Sequence, residues 1–417
     1  RTLTFRTSLS VEVHLDIPPA LGRPLLVMLQ SSLRICGTSS LRTAVVLQSG
    51  ISGLGSDSRR SFSRIDGYNH YYGKLKNQEG MLRDAARNEA YRAAFEAARP
   101  RLQGATVMDI GTGSGILAFL AAQYGAKKVY AIEGSPEIAR VASRLARANN
   151  LHHIVEIVPK HLEKVTFDDI PAGSVDIIVS ELFSHFLVGE IGLQVVTLAK
   201  QRFLRPGGLV LPEIAWLKLS PFEDPALGAE LRARHSFWEQ TDFMGLDLTA
   251  ALPLAAEQQL KEIVLDIVQP EELLIPPEQS PGECLDLVGP DDPEVWRKIS
   301  FELQFPDRTR DATIDGLCGW WDAVFSGDCM GDKPPVLSTA PGAPPTVWAQ
   351  CRFLLDRPLV ASATARLTVK CELRAHVQRE SYSIQMEVRN HESGKVAYVG
   401  PVELSNCYAR HFAKPNA

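Results

Sequence analysis

Between residues 105 and 182, short apolar runs alternate with longer runs whose apolar positions have helical spacing. The short runs predict four strands: "ATVMDIG" (105–111), "KKVYAIEGS" (127–135), "IVEIVPK" (154–160) and "VDIIVSEL" (175–182). The longer runs predict helices over 115–125 and 136–150, which end at Gly125 and at Asn150. Strands separated by helices of this length predict βαβ units and a parallel sheet covered on both faces.

Different patterns precede and follow this region. The segment "QEGMLRDAARNEAYRAAFEAARP" (78–100) places apolar residues at helical spacings and predicts one helix that Pro100 ends. Beyond about residue 210, apolar and polar residues alternate, and proline-rich turns separate the segments. The clearest of these strands are "KISFELQF" (298–305), "ARLTVKCELRAHV" (365–377) and "YSIQMEVRN" (382–390). This half therefore predicts an antiparallel sandwich or barrel.

Three other segments bear on the architecture. "RFLRPGGLVLPEIAWLKLS" (202–220) predicts a turn that leads into a hairpin. "ARHSFWEQTDFMGLDLTAAL" (233–252) concentrates large apolar and aromatic residues, which either fill a core or dock on another surface. Residues 1–60 are rich in Arg and Ser, and we interpret them as the remnant of a small β domain, with a targeting segment as the alternative. The chain begins with Arg1 rather than Met, as a fragment or a processed product does.

Composition narrows the class of protein. A chain of 417 residues with 45% hydrophobic residues has room for two or three globular domains. A net charge of −5 argues against a general nucleic-acid binder. The seven cysteines are widely spaced, and no two of them form a Cys-x-x-Cys motif. This spacing favours reduced thiols over disulfides or a zinc site, so we expect no metal. No run approaches the roughly 18 apolar residues of a membrane span.

The strongest candidate for chemistry is the glycine-rich loop in "VMDIGTGSGILAF" (107–119). A predicted strand ends at Asp109, Gly111, Gly113 and Gly115 follow, and then a predicted helix begins. Glycines let the backbone approach a ligand, and a helix N-terminus offers unpaired N–H groups. Dinucleotide enzymes use G-x-G-x-x-G, whereas this G-x-G-x-G follows an acid. That acid suits the ammonium group of an amino-acid-bearing cofactor, so S-adenosylmethionine is favoured over NAD; a turn without a ligand is the remaining alternative.

Acidic residues also follow the second and the fourth predicted strand. Glu133 ends the second strand, where a carboxylate suits a pair of ribose hydroxyls in either class of cofactor. After the fourth strand, "SELFSHFLVGE" (180–190) places Glu181 and Glu190 nine positions apart around an apolar segment. Taken alone, the two acids suit a solvated loop. Buried carboxylates are costly when unpaired, so the loop also suits a cationic ligand.

In this order, the motifs resemble those of the protein arginine N-methyltransferases. The resemblance runs from about Tyr68 to about Tyr382, roughly three quarters of the chain. "DIGTGSGIL", "VYAIE", "VPKHLEKV" and "SELFSHFLVGE" match the family's glycine motif, ribose acid, adenine contacts and paired-glutamate loop. Downstream stretches such as "GLCGWWDAVFSGD" and "LSTAPGAPPTVW" are most similar to the coactivator-associated arginine methyltransferases.

The resemblance implies a role for each matching residue. Glu181 and Glu190 are then the catalytic acids that orient the substrate guanidinium. The residues that it places at the cofactor, S-adenosyl-L-methionine, are Tyr72, Gln78, Arg87, Asp109, Gly111, Gly113, Gly115, Glu133, Leu162 and Glu163. Those on the substrate side are Tyr68, Met81 and Trp348. Arg87 is expected to pair with the cofactor carboxylate; without the resemblance, it is an ordinary surface charge on a helix.

The resemblance also implies a fold and partners. It predicts a helical cofactor lid (61–100), an α/β Rossmann-like methyltransferase domain (101–210) and an antiparallel β-barrel domain (211–417), into which a helical dimerisation arm is inserted at about 225–260. We expect a homodimer that methylates arginine-rich proteins, such as histone tails and RNA-binding proteins, in the nucleus and the cytoplasm. Direct binding to nucleic acid or to a membrane is not expected.

The chain departs from the family at several positions. Val347 stands where the family has the histidine of a Thr-His-Trp triplet, so Asp84 loses its expected partner. Type I members have other residues at Phe183, Ser184, His185 and Gly192. These changes leave open how many methyl groups are transferred. His185 either substitutes for the missing histidine or is a packed or solvated residue. A catalytically weak dimeric scaffold, a methyltransferase for another nucleophile and a nicotinamide enzyme stay as alternatives.

Overall fold

The computed structural model describes residues 2–6, 12–16, 73–188, 192–376 and 381–410. The chain divides into two units, Arg1–Ser61 and Phe62–Ala417. In the first unit, strands β1 (Thr2–Arg6) and β2 (Glu12–Asp16) pair in antiparallel register. The rest of the predicted small β domain lies outside the described residues, so its nature stays a prediction.

The second unit begins with helices rather than with the single helix predicted for residues 78–100. They are α1 (Leu75–Arg83), α2 (Ala85–Ala97) and the short α3 (Arg99–Leu102). The break falls at Asp84, whose backbone is extended and whose side chain accepts the Arg87 N–H at 2.9 Å as the N-cap of α2. Pro100 lies in the first turn of α3, where its missing N–H costs nothing, instead of ending a helix.

A parallel sheet follows, as predicted. Its strands lie in the order β5-β4-β3-β6-β7, and each pairs with its neighbours in parallel register. The strands are β3 (Thr106–Ile110), β4 (Lys128–Ile132), β5 (Val155–Val158), β6 (Val175–Ser180) and β7 (Leu204–Leu211). The helices among them are α4 (Ile116–Gln123), α5 (Pro136–Ala148) and α6 (Gly192–Phe203). Because the strands are parallel, the residues that follow them meet at one edge of the sheet.

The hairpin predicted for residues 202–220 is wrong. Strand β7 pairs with β6 in the parallel sheet, whereas the next strand, β8 (Ile214–Phe222), pairs with β10 and β12 in an antiparallel sheet. The two strands therefore carry apolar residues for two different sheets. Periodicity identified both strands but not their partners, because pairing depends on residues distant in sequence.

The rest of the unit is antiparallel, as its alternating pattern predicts. One sheet has the order β10-β8-β12-β14-β9-β18 with β13 beside β12, and the other has the order β11-β15-β16-β17. Among the described pairs of these two sheets, only β18 and β9 are parallel. The further strands are β9 (Ile263–Asp266), β10 (Gly282–Asp286), β11 (Lys298–Phe305), β12 (Ala312–Val324), β13 (Val336–Ser338), β14 (Gln350–Ala361), β15 (Leu367–His376), β16 (Ser381–Asn390), β17 (Val396–Glu403) and β18 (Cys407–Ala409).

Helical structure interrupts the antiparallel part between β8 and β9. It consists of α7 (Pro225–Ser236), two 3-10 turns (Phe237–Glu239 and Thr249–Ala251) and α8 (Leu252–Leu260). Met244 and Leu246 between the turns are 89% and 64% exposed, so the stretch between the turns does not fill a core of its own unit, whereas Leu227 and Leu231 of α7 are buried. Further 3-10 turns lie at Leu162–Lys164, Pro270–Glu272 and Pro293–Arg297.

Candidate active site at the carboxyl edge of the parallel sheet

The glycine-rich loop joins β3 to α4 at this edge. Gly111, Gly113 and Gly115 have φ values of 71°, 56° and 101°, which a residue with a Cβ rarely adopts. A Cβ at Gly111 would lie 2.5 Å from a methyl group of Leu182, and one at Gly113 would lie 2.8 Å from Oε1 of Gln78. The loop therefore requires glycine for its backbone and for the close approach of its neighbours.

Asp109 lies beneath this loop and is fully buried. Its Oδ2 accepts the Thr112 hydroxyl at 2.5 Å and the Ala118 N–H at 3.0 Å. Burial raises the pKa of Asp109 to about 7 in spite of these hydrogen bonds. Oδ1 is buried without a hydrogen-bond partner within the described ranges. A cationic ligand group near this carboxyl would compensate a charge that the chain leaves unpaired.

Glu133 follows β4 and holds the loop from the other side. Its Oε2 accepts the Gly113 N–H at 2.9 Å, and its Oε1 accepts the Ser135 N–H at 2.7 Å. Burial raises the pKa of Glu133 while these N–H groups oppose that effect. The carboxylate is thus fixed beside the glycine-rich loop, where the sequence placed the acid for a pair of hydroxyls.

Helix α1 lies over the loop. The Oε1 atom of Gln78 accepts the Ser114 N–H at 3.1 Å, and Gln78 is buried. Met81, one turn further along α1, is half-buried. Tyr68 and Tyr72 lie outside the described residues, so their predicted places are not tested. Gln78 thus brings a side chain from the predicted lid into direct contact with the predicted cofactor loop.

The most informative contact of the site joins α2 to the predicted substrate loop. Nε of Arg87 lies 2.6 Å from Oε2 of Glu181, and the two side chains are 7% and 6% exposed. Burial disfavours both charges, yet Glu181 holds the pKa of Arg87 above its ordinary value. Burial also raises the pKa of Glu181 against the effect of Arg87. The interpretation of Arg87 as a surface charge is therefore wrong.

Tyr91 is a residue of this site that the sequence did not single out for a role. It is fully buried one turn after Arg87, and its hydroxyl donates to the Ser180 carbonyl at 2.7 Å. The hydroxyl fixes the end of β6 directly before Glu181. Burial raises the pKa of Tyr91 well above its ordinary value, so the hydroxyl keeps its proton. Its spacing is part of the pattern that predicts a helix over 78–100, but periodicity carries no signal for a hydrogen bond.

The clamp loop, defined here as residues 181–188, is a tight turn. The backbone N–H groups of Ser184 and Leu187 donate to each other's carbonyls at 3.0 Å, and Leu187 has a φ of 56°. Trp348 donates its indole N–H to the Phe183 carbonyl at 3.0 Å. Glu190 lies outside the described residues, so the structure tests only the first of the two predicted acids.

The antiparallel part supplies contacts at the positions that depart from the family. Asp84 Oδ2 accepts the Val347 backbone N–H at 2.8 Å, so the carboxylate has a partner although the family histidine is absent. His185 Nδ1 lies 2.6 Å from the Trp348 carbonyl and donates to it. Burial lowers the pKa of His185, which keeps the imidazole neutral. His185 is thus half-buried and hydrogen-bonded to the antiparallel part, which favours the packed interpretation.

The two predicted adenine contacts lie after β5 in the 3-10 turn Leu162–Lys164. Leu162 is buried, whereas Glu163 is exposed. Arg202 of α6 donates to the Leu162 carbonyl at 3.3 Å and ties this turn to the helix that follows the clamp loop. The predicted site residues that the structure describes are thus found on the loops after β3, β4, β5 and β6, on the helices before the sheet, and on the antiparallel part.

Other kinds of site are absent from the described residues. They contain no group of three or more His, Cys, Asp or Glu that would hold a metal ion. None of the helices in the same ranges combines the length and the apolar character needed to cross a membrane. Six cysteines are described, and all are free.

Fold and site together define a Rossmann-like methyltransferase class. Residues 94–207 match the family described as ribosomal protein L11 methyltransferase (PrmA). Residues 215–392 match the family described as arginine methyltransferase oligomerization subdomain. The second match covers the antiparallel part as far as β16, together with its helical insertion.

Individual relatives point to the same family. The chain is 34% identical over 347 residues to a probable histone-arginine methyltransferase CARM1 of Oryza sativa subsp. indica. This alignment covers 83% of the chain and 63% of the relative. It is 31% identical over 359 residues to the histone-arginine methyltransferase CARMER of Anopheles gambiae, and that alignment covers 86% of the chain and 55% of the relative. The chain thus spans less than two thirds of the length of these curated relatives.

Solved structures agree in fold. The structure of Arabidopsis thaliana protein arginine methyltransferase 10 has a TM-score of 0.68 and 26% identity, and covers 80% of this chain and 100% of that one. The Trypanosoma brucei PRMT1 enzyme-prozyme complex, solved with AdoHcy, has a TM-score of 0.66 at 23% identity, with 78% and 97% covered. Over about four fifths of its length, the chain is thus similar to the protein arginine methyltransferases.

Proposed function

We propose that this protein transfers methyl groups from S-adenosyl-L-methionine to arginine guanidinium nitrogens of proteins. The observation that carries the proposal is the buried ion pair between Arg87 and Glu181 beside the glycine-rich loop. In this pair, Arg87 is suited to bind the carboxylate of a ligand, and Glu181 is suited to bind the cation of a substrate. The names of the rice and mosquito relatives, both histone-arginine methyltransferases, support the same activity.

The described residues fit the cofactor. The glycine-rich loop and the N-terminus of α4 form its floor, Glu133 offers a carboxylate to the ribose, and Asp109 has an unpaired oxygen for the ammonium side. The other residues that we propose to hold it are Tyr72, Gln78, Arg87, Leu162 and Glu163. When bound, the cofactor supplies a methyl group on a sulfonium centre.

The chain's own contribution is positioning and electrostatics. A guanidinium is a poor nucleophile because its lone pairs are delocalised over the cation. Glu181 and Glu190 bind its N–H groups and leave one nitrogen free to react. Glu181 is 6% exposed, so its interaction with a cation is screened little by water. Arg87 keeps this acid in place before the substrate arrives.

Arginine-rich protein segments are the proposed substrates. Histone tails and the tails of RNA-binding proteins carry the cations that two acids would recognise, with Tyr68, Met81 and Trp348 on the substrate side. A role in histone methylation would require the protein in the nucleus, and RNA-binding substrates would require it in the cytoplasm as well.

We propose a homodimer through the helical segment 225–260, whose exposed apolar residues fit a second copy. A catalytically weak scaffold is less favoured, because the buried pair of Arg87 and Glu181 is intact.

The variant Glu181→Gln tests the proposal. It keeps the shape of the side chain and a hydrogen-bond acceptor for Arg87 but removes the charge that binds the guanidinium. We expect methyl transfer to an arginine-rich peptide to fall by about 100-fold or more, measured with labelled S-adenosylmethionine. Glu89→Gln on the exposed face of α2 is the control and should keep full activity. Undiminished methyl transfer by a folded Glu181→Gln variant would contradict the proposed role of Glu181 in binding the guanidinium.

A further inference from the structure

Two neighbouring carbonyls of the clamp loop each accept a hydrogen bond from a tryptophan of the antiparallel part. Trp348 donates its indole N–H to the Phe183 carbonyl at 3.0 Å. Trp321 donates its indole N–H to the Ser184 carbonyl, also at 3.0 Å. We call Trp321 and Trp348 the tryptophan brace. The brace holds the two peptide groups that lie two and three residues after Glu181.

The brace is rigid. The rings of Trp321 and Trp348 lie 4.9 Å apart at 66°, and the Phe183 ring lies 5.2 Å from Trp321. Trp321 lies on β12, where its backbone N–H donates to the Thr339 hydroxyl and its carbonyl accepts the Thr339 N–H, both at 3.0 Å. Both tryptophans are buried. If the Trp348 indole turned away, the Phe183 carbonyl would lose its hydrogen bond, and if the Trp321 indole did so, the Ser184 carbonyl would keep only the Leu187 N–H.

Besides the brace, Arg87 holds Glu181 itself and Tyr91 holds the Ser180 carbonyl directly before it. Within the described residues, the Ser184–Leu187 pair closes the turn, and the Phe183 N–H reaches back to Oε1 of Glu181 at 3.3 Å. A shift of the Phe183 and Ser184 peptide groups would therefore move the acid together with the turn. The brace connects the position of Glu181 to the antiparallel part, across the boundary between two sheets.

We infer that Trp321 is a positioning residue of the reaction, whose indole N–H fixes the backbone that carries Glu181. The inference rests on the proposed function and deepens it, because the brace sets where the guanidinium is held. Trp321 does not act by touching the reacting atoms; it acts through the Ser184 carbonyl and the turn.

The neighbouring residue offers a matched control. Trp320 is also fully buried on β12, but it points to a different core cluster, and its indole N–H has no hydrogen-bond partner in the described part of the chain. Trp320→Phe and Trp321→Phe remove the same atoms from buried sites. Only Trp321→Phe removes a hydrogen bond to the clamp loop, one of the two that the Ser184 carbonyl accepts.

The test compares the two variants in the full chain by steady-state kinetics on an arginine-rich peptide and by hydrogen exchange with mass spectrometry. We expect Trp321→Phe to lower kcat by about 10- to 100-fold, because a small misplacement of a binding group has effects of this size. The KM for S-adenosylmethionine should change by less than about threefold, since the glycine-rich loop keeps its contacts. Exchange should accelerate in peptides covering residues 181–188 with Trp321→Phe and not with Trp320→Phe.

The outcomes separate this inference from the proposed function. If the two variants behave alike in kcat and in loop exchange, the positioning role of Trp321 is overturned. If the wild-type chain methylates no arginine peptide, the proposed function fails, while the exchange comparison still decides whether Trp321 fixes the loop. If Trp321→Phe does not fold, Trp321→Leu and its control Trp320→Leu replace the pair; faster exchange over 181–188 in Trp321→Leu alone is again the supporting result and equal exchange the contrary one.

Discussion

At the scale of single residues, the site is a set of charges buried close together. Asp109, Glu133, Glu181 and Arg87 are each buried, and the pKa values of the three carboxyls are raised by that burial. Such shifts cost stability in the ligand-free chain and favour ligands that bring opposite charge. The three carboxyls therefore favour a ligand with an ammonium group, and Arg87 favours one with a carboxylate.

The raised pKa of Asp109 predicts a pH dependence of stability. Its folded pKa of about 7 exceeds the ordinary value of 3.8, so folding takes up a proton between these values. The stabilising contribution is fully present below pH 3.8 and is lost as pH rises through 7, by up to about 1.4 kcal/mol per pH unit. Chemical denaturation from pH 4.5 to 7.5 should show that wild type loses stability relative to Asp109→Asn as pH rises. A difference that is constant with pH would contradict this expectation.

Residue identities at the site follow from the sequence more readily than their contacts. Glycine spacing and strand-end acids indicated Gly111 and Glu133 because both patterns are local. The partner of Arg87 was not predictable, because Glu181 lies 94 positions away and only the folded sheet brings them together. The same reason explains why Trp321 had no sequence signal for its hydrogen bond to the loop.

At the scale of elements, helix α6 begins unusually close to the clamp loop. A Cβ on Gly192 would lie 2.4 Å from the Leu182 carbonyl oxygen, which is backbone and has little freedom to move. Glycine at this position lets the loop and the helix touch. A side chain here would displace the residue that directly follows Glu181.

A pair of glycine substitutions tests this contact. We expect Gly192→Ala to lower the free energy of unfolding by about 1–3 kcal/mol through overpacking. Gly80→Ala in α1 is the control, because nothing lies within 4 Å of its Cβ, and alanine should stabilise the helix by about 0.5–1 kcal/mol. Guanidinium denaturation measures both. A stability gain in Gly192→Ala comparable to that of the control would contradict the close packing.

The elements themselves were predictable where the apolar period was regular. All four parallel strands and the two helices between them appear close to the expected bounds, as does β11 at Lys298–Phe305. The errors fall where a long-range partner decides the outcome. Asp84 divides the helix of 78–100 by capping α2, and β7 and β8 separate because each completes a different sheet.

At the scale of the whole molecule, the clamp loop is held from both the parallel and the antiparallel parts. Arg87 and Tyr91 support it from α2, whereas Trp321 and Trp348 support it from the antiparallel part. The sequence predicted that these parts exist side by side in one chain. It did not predict that the antiparallel part holds the loop that carries the acid, because no local pattern encodes that contact.

The proposed homodimer gives a prediction at this scale. Met244 and Leu246 are exposed within the helical insertion, and charges there would oppose burial against a second copy. We expect the double variant Met244→Glu/Leu246→Glu to be monomeric by light scattering at concentrations where the wild type is dimeric. Leu145→Glu on the exposed face of α5 is the control and should stay dimeric. A double variant with the wild-type mass in solution would exclude this surface from the dimer.

The central claim is that the buried acid of the clamp loop directs methyl transfer to arginine. The most direct measurement is tandem mass spectrometry of a peptide with one arginine after incubation with the protein and S-adenosylmethionine. We expect the peptide to gain the mass of one or two methylene groups, with fragments that place them on the guanidinium, and we expect Glu181→Gln to leave the peptide unmodified. Methylation at a residue other than arginine, or arginine methylation that persists in the folded Glu181→Gln variant, would contradict it.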